Sequence, residues 1–436
     1  MSTPESALEL WGGHECTLNR VGDRWRDQSR LSGHDARPAD LDRFAALGIK
    51  ALRYPVLWER TERAPGRSDW SWADARLRRL RRLGVRPIVG LIHHGSGPAW
   101  TDLLDEGFAS GLARHAAEAA QRYPWVRDWT PVNEPLTTAR FSALYGHWHP
   151  HLKDERAFWL ALLNQIDAVR LAMKAIRAVI PDARLVQTED FGHTWATGPC
   201  AEQARHENDR RLMTWDLLTG RVAPGHPMWL RLEPLGFGSR LDVLAEDPCP
   251  PDVVGLNHYV TSDRFLDHRL ERYPAHVHGG NGMIAYADVE AVRVMADRTC
   301  GWDRSLRTLW ERYGIPLAVT ECHLGCAPDQ QRRWLATCWD AALRARRAGA
   351  AVEAVTVWSL LGAHDWDSLL TRDAGRYEPG VFDLAGGEPA ATPLAELVAR
   401  LARTGACPPE GCGWWEADDR LLYPAGAPGP SVVQPT

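Results

Sequence analysis

Two periods of apolar residues alternate along the chain. Short continuous apolar runs read as buried strands, and longer stretches with apolar residues at three- and four-residue steps read as helices. The runs predict strands over Ala7–Trp11, Ala51–Trp58, Arg86–His94, Val126–Asn133, Ala183–Glu189, Asp252–Asn257, Pro316–Glu321 and Ala354–Trp358. Between and after them, helices are predicted over Asp40–Leu47, Trp72–Leu83, Phe108–Tyr123, Phe158–Ile180, Cys200–Thr219, Ser305–Tyr313, Asp329–Ala348 and Pro393–Arg403. Gly48, Gly84 and Pro181 stand where helices should stop. Pro55 has no N–H to give a ladder, so it is expected near its strand's end or at a bulge.

Strictly alternating strand and helix implies parallel strands joined by right-handed crossovers. Eight such units predict an α/β protein, the (β/α)8 TIM barrel. Residues 261–298, rich in Gly, His and Asp, show weak periodicity and read as a long rim loop. The barrel domain is assigned residues 1–405. Residues 406–436 form a C-terminal extension that carries Trp414-Trp415 and ends in a Pro/Gly/Ala-rich tail or linker.

Composition narrows the function. A hydrophobic fraction of 44% and a charged fraction of 25% suit a soluble globular chain. The net charge of -5 argues against nucleic acid or an anionic membrane surface as partner. No apolar run reaches the length of a membrane span. The first residues show no basic and then apolar leader, and the nine cysteines are odd in number and scattered, so free thiols in the cytoplasm are expected. Tryptophan is abundant, 21 residues against 8 Phe and 9 Tyr, and aromatic faces at strand ends suit stacking on sugar rings.

Two carboxylates end apolar runs, Glu134 in Thr130-Pro-Val-Asn-Glu-Pro135 and Glu321 in Leu317-Ala-Val-Thr-Glu-Cys-His323. The rim at the strand C-terminal ends is where a (β/α)8 barrel performs its chemistry. Such a pair suggests a retaining glycosidase, in which one carboxyl protonates the leaving oxygen and the other attacks the anomeric carbon, about 5–5.5 Å away. In that reading Arg53 holds the nucleophile ionised and Tyr259 donates to it. Asn133, next to Glu134, hydrogen-bonds the sugar 2-OH.

These marks resemble the family 1 glycoside hydrolases, the β-glucosidase family within the clan of (β/α)8 retaining glycosidases. The resemblance runs from Trp11 to Trp366, with one mark on each strand but the fifth: Leu10-Trp11-Gly12, Leu52-Arg53-Tyr54, Leu91-Ile92-His93, Asn133-Glu134-Pro135, Gly255-Leu256-Asn257-His258-Tyr259, Thr320-Glu321 and Trp358-Ser359-Leu360-Leu361. It implies Glu134 as acid/base, Glu321 as nucleophile, and Asn19, His93, Asn133, Asn257, Trp358, Asp365 and Trp366 as substrate contacts, with no cofactor and a glycoside as substrate. The departures cluster in the sugar reader. Asn19 stands at the family's Gln, His93-His94 at its His-Trp, Glu321-Cys322-His323 at its E-N-G, and Gly362-Ala-His-Asp365-Trp366 at its D-N-F-E-W. The chain also resembles bacterial proteins in which such a domain precedes a sugar-nucleotide reductase, which implies association with an enzyme of that kind.

Each motif also has a plainer role. A strand-end Glu often makes a rim salt bridge. His147, His149 and His151 alternate without a carboxylate or cysteine beside them and read as loop packing or substrate contact, so no metal is assigned. Cys322 reads as a small buried hydrophobe, and Trp414-Trp415 as packed on the barrel. Two other functions fit the same residues: a catalytically silent carbohydrate or nucleotide-sugar binding domain, and a transglycosylase on the same two carboxylates.

Overall fold

A computed structural model describes residues 7–297 and 301–423. Eight parallel strands close into a barrel: β1 Glu9–Gly13, β2 Ala51–Pro55, β3 Arg86–His93, β4 Asp128–Asn133, β5 Arg184–Asp190, β6 Val253–His258, β7 Leu317–Cys322 and β8 Val352–Val357. Their spatial order is their chain order, and β8 pairs with β1 through Glu9 opposite Ala354. The predicted strands are all here, within a few residues, because both faces of each are covered and the apolar runs are continuous. Pro55 is the last residue of β2, where it costs the ladder least.

Helices pack outside the barrel. They include α1 Asp40–Ala46, α2 Ser71–Leu83, α3 Phe108–Arg122 and α4 Glu155–Val179. After β5 come α5 Gly238–Glu246, α6 Trp302–Tyr313, α7 Pro328–Arg347 and α8 Pro393–Thr404. The Asp154 side chain caps α4 by accepting from Ala157 N–H at 2.7 Å. Gly84 ends α2 in the left-handed region at φ 71°, where a Cβ would be strained. Inside the barrel, Trp11, Ala51, Ile88, Val186, Val253, Ala318 and Ala354 form one apolar layer. Above it the interior turns polar, and the strand C-terminal ends open onto the rim.

Two sequence expectations need correction. The single helix predicted over 200–219 is two, Ala201–Arg211 and Met213–Leu218. The first is polar nearly all round and packs on a rim strand, while the second buries Met213, Trp215, Leu217 and Leu218. The segment read as a loop over 261–298 builds strands Arg264–Asp267, His278–Gly280 and Ala285–Glu290, as far as residue 297 is described. With Thr194–Ala196 they form a four-stranded side sheet over its own small core of Trp195, Phe265, Tyr273 and Val289. The helix Gly238–Glu246 was not foreseen. In the extension, Trp415 is buried edge-on against Trp334 at 4.9 Å, and Arg293 lies 4.2 Å over the Trp414 ring. The Pro/Gly-rich tail from 424 onward lies outside the described residues.

Candidate active site

Glu134 follows the last residue of β4 and takes φ 46°, ψ 64°, a left-handed turn that lifts its side chain out of the strand. Glu321 is the fifth residue of β7. Both are buried at the barrel's C-terminal face, 4% and 2% exposed. Their partners differ in kind. Arg53 Nη1 donates to Glu321 Oε1 at 2.7 Å and to the Thr320 carbonyl at 2.8 Å, and the Tyr259 hydroxyl donates a short hydrogen bond to Glu321 Oε2. Glu134 receives one hydrogen bond, from Asn257 Nδ2 to Oε1 at 2.6 Å, with His94 Nε2 3.7 Å from Oε2.

The electrostatics follow. Burial, then the charges of Glu321, Glu189 and Asp190, push Glu134 well above the ordinary carboxylate range. Burial also raises Glu321, but Arg53 and Tyr259 work against it. The carboxylate with a cation and a phenol releases its proton first. Burial first holds both His93 and His94 below the ordinary imidazole range, His94 down to about 3; Arg53 adds to the shift of His94, and His94 and then Arg53 to that of His93.

Asn133 and Asn257 fix the pair in place. Asn133 Oδ1 accepts from Arg53 Nη2 at 2.6 Å and Thr188 Oγ1 at 2.7 Å, which leaves its Nδ2 facing His93 and His94 at 3.4 and 3.3 Å. Asn257 Oδ1 accepts from Thr320 Oγ1 at 2.6 Å, so the Asn257 amide must point its NH2 at Glu134. His93 stacks on Trp358 at 5.5 Å, and Arg53 lies 4.9 Å over the same indole.

The remaining predicted contacts sit at the same rim with different surroundings. Asn19, 1% exposed, has no hydrogen-bond partner on either amide atom. Trp366 packs near His94 at 5.5 Å and Trp148 at 6.1 Å. Asp365 is already engaged: Arg26 Nη2 donates to Oδ2 at 2.6 Å and Arg376 N–H to Oδ1 at 2.8 Å. Arg26 comes from the hairpin Leu18–Val21/Arg24–Asp27, where it pairs with Asn19, so one hairpin brings both to the pocket edge. His151 is tied to Gly22 N–H at 2.8 Å and to the Gly146 carbonyl at 3.0 Å. No cluster of His, Cys, Asp or Glu able to hold a metal occurs among the described residues.

Sequence reasoning missed two carboxylates, Glu15 and Glu189, and Arg26. Glu15 lies just past β1, buried, with Thr17 N–H donating to it at 2.9 Å; burial pushes it up to about 7 and the charge of Glu321 adds to this. Glu189 lies near the end of β5 beside Asp190. Neither belongs to a recognisable motif. The signal available was positional: each is a Glu at or just beyond the C-terminal end of a predicted strand.

No protein-family model matches the chain. Among curated relatives it is 25% identical over 337 residues to a 6-phospho-β-glucosidase of Dickeya chrysanthemi, 71% of this chain and 70% of that one. It is 22% identical over 312 residues to a phospho-cellobiase of Klebsiella oxytoca, 66% of this chain and 65% of that one. The family 1 β-glucosidase of Thermotoga maritima superposes with a TM-score of 0.73 at 17% identity, over 92% of this chain and 98% of that one. The chain is a divergent relative of the family 1 β-glucosidases. That kinship accounts for the barrel and for the strand-by-strand order of the marks. Around the candidate pair this chain places the Arg26–Asp365 ion pair, in the expected sugar reader, and the buried carboxylates Glu15 and Glu189.

Proposed function

We propose that the protein is a retaining β-glycosidase-like hydrolase acting by double displacement, with Glu321 as nucleophile and Glu134 as acid/base. One observation carries the reading: two buried carboxylates at the ends of β4 and β7 have opposite surroundings. Glu321 has a guanidinium and a phenol on its two oxygens, which favour the anion. Glu134 has an amide and carboxylate neighbours, which favour the proton.

In the first step Glu321 Oε attacks the anomeric carbon as the glycosidic C–O bond breaks, and the Glu134 proton passes to the leaving oxygen. In the second, Glu134, now ionised, takes a proton from water as its oxygen attacks the same carbon and the Glu321 ester bond breaks. Asn133, turned by Arg53 and Thr188, presents Nδ2 toward the side of the pocket where a 2-OH would lie. Capture of the intermediate by a sugar hydroxyl in place of water would give transglycosylation from the same site. The relatives' names point to β-glucosides and their 6-phosphates as the first glycones to test.

The test is incubation with 2-deoxy-2-fluoro glycosides bearing a good leaving group, read by intact mass and peptide mapping. An adduct on Glu321, absent in Glu321→Ala, is expected. A folded protein that forms no adduct with gluco-, galacto-, manno- or 6-phosphogluco-configured probes, and turns over none of the parent glycosides, refutes the hydrolase reading in favour of a silent binding domain. The Arg26–Asp365 pair is the observation that favours that second reading, since it occupies acceptors expected to read the sugar.

A further inference from the structure

A buried carboxylate that takes no direct part in the proposed chemistry lies behind the turn that carries Glu134. Glu189 is fully buried. Its Oε2 accepts from Leu136 N–H at 2.8 Å and Thr214 Oγ1 at 2.7 Å. Its Oε1 accepts from Thr137 Oγ1 at 2.8 Å, Thr137 N–H at 3.2 Å and Asp190 N–H at 3.1 Å. All five partners donate, so the site is built for an anion.

Leu136 and Thr137 are two and three residues beyond Glu134. They open the short helix Pro135–Ala139, which starts from the left-handed Glu134. A non-glycine residue stays in that region only where its surroundings over-determine it. Here Pro135 supplies a fixed φ and Glu189 ties down the next two N–H groups.

The charged and titratable groups facing Glu134 come from five strands or the loops after them. β7 supplies Glu321, the loop after β6 supplies Tyr259, β2 supplies Arg53 through Glu321 and Asn133, and the residue after β3 is His94, held neutral. β5 supplies Glu189 and Asp190. Asp190 is partly offset by Arg211 at 3.5 Å and by the Ser262 hydroxyl. Arg140 is the cation whose charge is felt with Glu189 and Asp190 together, but Glu189's own direct partners are hydroxyls and amides.

We propose that Glu189 is the positioning residue of the acid/base: it clamps the turn that carries Glu134 and, as a fixed buried anion, keeps the proton on Glu134. The proposal rests on the reading of Glu134 as acid/base. Burial raises Glu189 itself to about 7, so the clamp's charge is complete above neutrality, where a general acid is most at risk of losing its proton. Removing that charge should draw the Glu134 midpoint down.

The experiment titrates Glu134 by carbon NMR in protein labelled at the glutamate side-chain carboxyl, with the resonance assigned by its loss in Glu134→Gln. In Glu189→Gln the Glu134 midpoint should fall by about one pH unit, a tenfold change in its proton affinity. Thr214→Val, which removes one donor and leaves the fold's backbone contacts intact, should move it the same way by less, and stands in if Glu189→Gln does not fold. Kinetics add a second readout. A glycoside with a poor leaving group should lose about tenfold or more in kcat in Glu189→Gln, while a dinitrophenyl glycoside, which needs no proton, should change less than about twofold. A Glu134 midpoint that stays put in both variants, or equal losses on both glycosides, overturns the proposal. A displaced midpoint without any fluorosugar adduct would sustain the clamp and sink the hydrolase reading, so the two failures are separable.

Discussion

Arg53 Nη1 lies 2.7 Å from Glu321 Oε1, and the same guanidinium reaches Asn133 Oδ1 through Nη2 at 2.6 Å. One planar group therefore sets the nucleophile candidate and the 2-OH reader in a fixed relation, from a strand that carries neither. A lysine ammonium could hold one of them at that reach. Arg53→Lys keeps the charge but cannot hold both groups, so it is expected to lower kcat/KM by about tenfold or more. Steady-state kinetics with circular dichroism as the fold control check this; wild-type kcat/KM in a folded variant would refute it.

Arg26 and Asp365 are both almost fully buried, with side chains 7% and 1% exposed. Arg26→Met leaves the buried Asp365 without its cation, and Asp365→Asn leaves Arg26 with only the half-exposed Asp373, 2.6 Å from its Nη1, as a carboxylate partner, whereas the double change removes the buried pair together. Arg26→Met and Asp365→Asn should each lower the melting temperature, and the double variant should regain most of the loss. Additive losses in a thermal double-mutant cycle would show that the two charges do not depend on each other.

Glu59 is a buried carboxyl whose Oε1 accepts from Gly97 N–H at 3.1 Å and whose Oε2 has no partner. Burial raises it from 4.5 to about 7. A raised carboxyl binds its proton in the folded state after the unfolded chain has lost it. Its contribution is therefore full below pH 4.5 and drains away as pH climbs toward 7. The whole window is worth on the order of 3 kcal/mol. Glu59→Gln, neutral at every pH, should match wild type near pH 4.5 and exceed it in melting temperature near pH 8. A constant gap across that range would assign the burial no role.

Trp415 inserts from the C-terminal extension into the shell around the barrel, against Trp334. Trp415→Ala should cost about 3–5 kcal/mol in chemical denaturation, the usual penalty for emptying a buried aromatic site. A loss below about 1 kcal/mol would mean that the extension rests on the barrel without supporting it.

Much of this architecture was legible in the chain. β2 through β8 announced themselves because a strand covered on both faces must be apolar along its whole length, and Gly48 and Gly84 marked helix ends by cap chemistry that acts over a few residues. The side sheet was not legible. Its strands are three to six residues long, and Trp195, which joins Phe265 and Tyr273 in its core, comes from a distant stretch of the chain. No local period could join them.

For the site, the residues at strand ends, Glu134, Glu321, Arg53, Asn133, Asn257 and Tyr259, were named from the sequence, and the structure gathers them at one rim. Their motifs are local, and a closed barrel brings every strand end to the same mouth. Beyond Arg53 and Tyr259 at Glu321, the sequence did not supply who touches whom. Arg26 against Asp365 spans 339 residues, and Glu189 against Leu136 spans 53. The sequence alone determined which elements form and which chemical groups stand at their ends, because propensity and burial act on neighbours along the chain. Only the tertiary structure decided that Asp365 is already paired with Arg26 and that Glu134 faces other carboxylates. Proton affinity is set by desolvation and by charges a few ångströms away in space, wherever they stand in the sequence.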